Sequence, residues 1–125
     1  MTTLAHLIED ERHHTTERDV THLPEILALH DLTCDPAVED FETLKARCER
    51  GFENRASHHH VFDTGLVVAM VDWVGLQIVA VEPVMSCHIF LVARNPSTSQ
   101  PAENTIFLAE HAKYKRRSPF LLDRV

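Results

Sequence analysis

Between residues 63 and 94 the spacing of apolar side chains changes once, and that change limits the folds open to the chain. Leu66, Val67, Met70, Val71 and Val74 recur at steps of three and four, the period of one helical face. Asp63 or Thr64 can cap the start of such a helix, and Gly75 can end it in the left-handed conformation. The runs that follow, residues 76–81 and 87–93, are β-rich and apolar on either side of a link containing Pro83, so they can pair antiparallel. Residues 58–62, HHHVF, read as a short strand ahead of the helix, which makes this half β-α-β-β.

The first half carries helical signals instead. Thr3 can cap a short helix with Leu4, Leu7 and Ile8 on one side, ending at the polar His13-His14-Thr15-Thr16 break. Residues 21–32 place Leu23, Ile26, Leu27 and His30 at helical spacing, with Pro24 in the first turn, where its missing N–H is harmless. Asp35-Pro36 is a start signal for a third helix striped by Ala37, Phe41, Leu44, Cys48 and Phe52 and loosened at Gly51. The expected class is α+β, N-terminal helices followed by a β-α-β-β unit. One domain spans 1–94, helical over 1–55 and β-α-β-β over 56–94. Residues 95–125, opening with the turn-rich NPSTSQPAEN and weakly anchored by Ile106, Phe107 and Leu108, are expected to be a flexible tail.

Composition removes several classes of function. Apolar residues at 44% and charged residues at 25% describe a soluble globular chain. The longest apolar stretch is interrupted by Asp72, Gln77 and Glu82, so no membrane span is expected. The acidic N-terminus lacks the pattern of a signal peptide, which predicts a cytoplasmic location. Cys34, Cys48 and Cys87 lack paired spacing and read as reduced thiols. A net charge of −7 repels phosphate backbones, and the one basic cluster, residues 113–117, is short, so no nucleic-acid partner is expected.

The histidines are the main chemical candidates. On a strand, His58 and His60 share one face and His59 takes the other, so the three cannot meet one ligand. A metal set of His58, His60, Cys87 and His88 lacks the usual ligand spacing, and no metal site is assigned. Asp63 reads as a helix cap before a partner for histidine, Cys87-His88 as core residues pointing apart, and Trp73 as the plug of a core edge.

"GLQIVAVEP" followed by "CHIFLVAR" is similar to the way class I S-adenosylmethionine-dependent methyltransferases close their sheet, with the last strand inserted antiparallel. Together with "TTLAHLIEDE", the helical stretch after it and "HHHVFD", these segments resemble the C-terminal half of a bacterial methyltransferase-like family over about residues 2–94. The resemblance implies the C-terminal part of a Rossmann-like sheet, with His59 and His60 on the substrate side as catalytic proton acceptors; backbone-bonded packing of the imidazoles is the alternative. The glycine-rich turn that cradles the nucleoside in such folds has no counterpart among Gly51, Gly65 and Gly75. No cofactor-binding residue can therefore be assigned, and S-adenosylmethionine belongs to an intact relative.

The implied protein is a truncated or split methyltransferase lacking its cofactor-binding half and inactive alone. The alternatives are the C-terminal subunit of a two-chain methyltransferase and a non-catalytic interaction module. Its implied partner is a complementary N-terminal half, or a second copy through an exposed sheet edge.

Overall fold

A computed structural model describes the chain except for Met1, Glu17, Pro36, residues 55–59, Ser86, Cys87 and Val125, and it leaves the side chains of Leu29, Cys34, Asn54, Leu121 and Leu122 undescribed. His58, His59, Cys87 and the Pro36 start signal thus lie outside the described residues. The class is α+β, and the chain divides into two compact units, Ala5–Val61 and Met1–Leu4 with Phe62–Val125. Among the described residues no helix is long and apolar enough to cross a membrane.

The first unit is helical, with α1 at Leu4–His13, α2 at Leu23–Leu29, α3 at Phe41–Glu49 and the single turn α4 at Gly51–Asn54. Pro24 sits in the first turn of α2, as its missing donor requires. α3 starts later than the Asp35-Pro36 signal suggests. Asp40 caps it, accepting from the Thr43 N–H at 2.7 Å, while Asp35 closes a local turn with the Ala37 N–H at 3.1 Å. An Asp three residues ahead of a free helical N–H wins the cap because it satisfies a donor that would otherwise be orphaned. Val38, Leu44 and Cys48 form a small core with Leu23, Ile26, Leu27 and Leu32 against it. Burial pushes the Cys48 thiol up, so the sulfur stays protonated and inert. Phe41 and Phe52, expected on the same stripe, are half exposed. None of the ten residues of α1 is buried.

The second unit is built on α5, Thr64–Trp73, and the hairpin of β1, Gln77–Val84, and β2, His88–Arg94. Asp63 caps α5, accepting from the Leu66 N–H at 2.6 Å. Gly75, at φ 77°, ends the helix in a Schellman arrangement: its N–H donates to Asp72 O at 2.8 Å and the Leu76 N–H donates to Val71 O at 3.2 Å. The strands pair antiparallel from Gln77↔Arg94 to Val84↔His88, with an irregularity at Val79 between Ile78 and Ala80. Pro83 is part of β1, opposite Ile89, where an outer strand tolerates a residue without a donor. The expected strand at 58–62 is absent from its described part, His60–Phe62, where the chain is irregular and Val61 and Phe62 are exposed. Among the described residues the order is α-β-β, with no third strand to pair.

The described residues of the C-terminal segment, 95–124, pack onto the unit and do not form a tail. Asn104 is buried and uses its whole amide: Nδ2 donates to Asp72 Oδ1 at 2.9 Å and Leu76 O at 2.8 Å, and Oδ1 accepts from the Ile78 N–H at 2.8 Å and Gln77 Nε2 at 3.1 Å. After the turn α6, Thr105–Leu108, the helix α7, Lys113–Arg117, places Tyr114 and the preceding Ala112 in a core with Val68, Ile78 and Val81. Of the anchors read from sequence, Phe107 packs on that core while Ile106 and Leu108 are exposed. Beyond α7, buried Asp123 accepts from Thr64 Oγ1 at 2.6 Å and from Ser118 Oγ. The segment is held because its polar side chains satisfy buried backbone groups of the α5-β1 turn and the start of α5.

Candidate functional site

The densest cluster of chemistry-bearing groups lies within the helical unit and joins three stretches distant in sequence. His6 and Asp10, four residues apart on α1, point from one face of that helix. His22 occupies the N-cap of α2 with no capping hydrogen bond from its own side chain. His60 opens the irregular described residues 60–62. His6 Nε2 lies 3.1 Å from His22 Nε2 and 3.0 Å from Asp10 Oδ2, and His60 Nε2 lies 3.4 Å from the same carboxylate oxygen. One donor atom from each of the four residues falls within 4.8 Å of every other.

The rings meet edge to face. Centroids are 4.7 Å apart for His6 and His22 and 5.6 Å for each of the other two pairs. Asp19 flanks the cluster, with Oδ2 3.8 Å from His22 Nε2 while both its oxygens accept from Thr21. The four side chains are between 18% and 36% exposed, so the cluster lies at the surface of its unit without being fully open.

Of the two catalytic candidates, His59 lies outside the described residues. His60 turns Nε2 to Asp10 and has Nδ1 buried, so abstracting a proton from a substrate would require its ring to turn. The metal set considered from sequence cannot be assembled from described residues, because His58 and Cys87 are not among them; His60 stands instead with His6, Asp10 and His22. None of those three drew attention in the sequence. The available signal was the one-turn spacing of His6 and Asp10, an i, i+4 pairing seen on metal-binding helices. Cys87 lies outside the described residues, and His88 is exposed beside Phe90, 6.3 Å between ring centroids.

A second surface stands out on the α5-β1-β2 unit. Ile78, Val81, Pro83, Ile89, Leu91 and Ala93 face the covered side of the hairpin. The other side presents Val84, Phe90 and Val92, with Phe90 60% and Val92 57% exposed. Trp73 at the end of α5 is also more than half exposed and plugs no core edge. Among the described residues β2 pairs only with β1, leaving its other edge open.

No family model, curated protein or solved structure matches the chain.

Proposed function

We propose that this chain is the C-terminal part of a class I methyltransferase-type protein, which lends its α5-β1-β2 unit to a cofactor-binding half carried elsewhere and is not catalytic by itself. The carrying observation is the antiparallel hairpin: one face is covered, the other exposes Val84, Phe90 and Val92, and among the described residues the outer edge of β2 has no paired strand. A last strand inserted antiparallel into a larger sheet needs these properties, since such a strand is paired on both edges and packed on both faces. The missing glycine-rich turn supports the second half of the reading, because nothing in the chain offers a nucleoside its usual backbone cradle.

Titrating S-adenosylmethionine into the isolated chain is expected to give no binding; micromolar affinity overturns the reading. The coding sequence immediately upstream is expected to encode a strand, glycine-rich turn and helix, and its absence there would remove the partner. The same open face favours one other reading, a stand-alone interaction module that pairs with a second copy. Light scattering on the eluting protein tests it, since a clean monomer at high concentration contradicts self-pairing.

A further inference from the structure

We propose that His6, Asp10, His22 and His60 form a closed, tetrahedral zinc site that fastens α1 to α2 and to the residue-60 segment. The geometry is the first argument. Metal–ligand bonds of about 2.0–2.1 Å in a tetrahedron place donors roughly 3.3 Å apart. Three pairs, His6–Asp10 at 3.0 Å, His6–His22 at 3.1 Å and His60–Asp10 at 3.4 Å, bracket that spacing, and all four donor atoms lie within 4.8 Å of one another.

Hydrogen bonding accounts poorly for the same arrangement. Between the Nε2 atoms of His6 and His22 only one proton fits, and it satisfies a single pair. Asp10 Oδ2 is buried and, among the described residues, accepts no hydrogen bond, although two Nε2 atoms lie within 3.4 Å of it. The four ligand atoms lie within 4.8 Å of one another, and a cation held among them would satisfy all four together.

The donor set selects the ion. Three imidazoles and one carboxylate, without a thiolate, suit a borderline first-row ion and tetrahedral geometry suits Zn2+. Four protein donors leave no open position, so the site is structural. The fold supplies a need for it. α1 buries none of its ten residues, and among the described side chains the buried core of this unit consists of Val38, Leu44 and Cys48. A unit this small holds an unburied helix poorly without a staple.

The test uses the full 125-residue chain, purified without a histidine tag, stripped by chelation and dialysed against Zn2+. Retention of about one Zn2+ per chain is expected, with a rise in unfolding temperature that chelator reverses. Co2+ as a probe should give the intense visible bands of a tetrahedral site without a thiolate charge-transfer band. His22→Ala and Asp10→Asn should weaken Zn2+ binding by more than about 100-fold, beyond the 10–100-fold typical of outer-sphere partners, while His111→Ala leaves it unchanged. No Zn2+ retained at micromolar concentration, a thiolate band, or equal affinity in all three variants overturns the site. Should the variants not fold, the Co2+ spectrum of the unaltered chain still decides. None of these readouts involves S-adenosylmethionine or a partner half, so this proposal and the preceding one fail separately.

Discussion

Asn104 binds the second unit together through one side chain, and its loss should be felt throughout that unit. Its four hydrogen bonds join the loop before α6 to Asp72, Leu76, Gln77 and Ile78, and the residue is 3% exposed. Replacing it with alanine strands the buried Ile78 N–H and Leu76 carbonyl, at about 1–3 kcal/mol for each group left unsatisfied. Asn104→Ala should therefore lower stability by about 3 kcal/mol in a denaturant titration, whereas exposed Asn95→Ala should stay within about 0.5 kcal/mol. Nothing near Asn104 in the sequence announces this. Asn, Pro, Ser and Gln in succession signal turns, and a turn signal carries no information about what a side chain meets 26 to 32 residues away.

The helix-hairpin element behaves differently, because its instructions are local. Asp63 caps α5 as the sequence suggests, the apolar stripe gives its covered face, and Gly75 turns the chain into β1. A side chain at Gly75 would meet no heavy atom within 4 Å, so the requirement there is purely one of backbone conformation. Gly75→Ala should accordingly cost about 1 kcal/mol, read as a lower urea midpoint with an unchanged slope, through left-handed strain alone. The strand expected at 58–62 does not form over its described residues 60–62, for the complementary reason. An alternating pattern states only that a segment could pair, and the described part of this one has no neighbouring strand to accept it.

At the scale of the whole molecule, the C-terminal segment makes stability depend on alkaline pH. Burial, reinforced by the carboxylates of Asp123 and Asp63, pushes the Tyr114 phenol up to about 12 from its ordinary 10. The folded chain keeps a proton that the unfolded chain releases, so this contribution is complete below pH 10 and is lost as pH rises from about 10 to 12. Tyr114 is the single tyrosine of the sequence, so near-ultraviolet tyrosinate absorbance follows it alone. Its ionisation should coincide with falling thermal stability, and Tyr114→Phe should remove that part of the pH dependence. By itself the sequence determined the α+β class, the caps and covered face of α5 and the antiparallel pairing of β1 with β2, because each follows from spacing within about one element. Only the tertiary structure decided that Phe107, Ala112 and Tyr114 of the C-terminal segment pack into the core and that His6, Asp10, His22 and His60 converge. Those contacts depend on the path of the chain between distant residues, which no local period encodes.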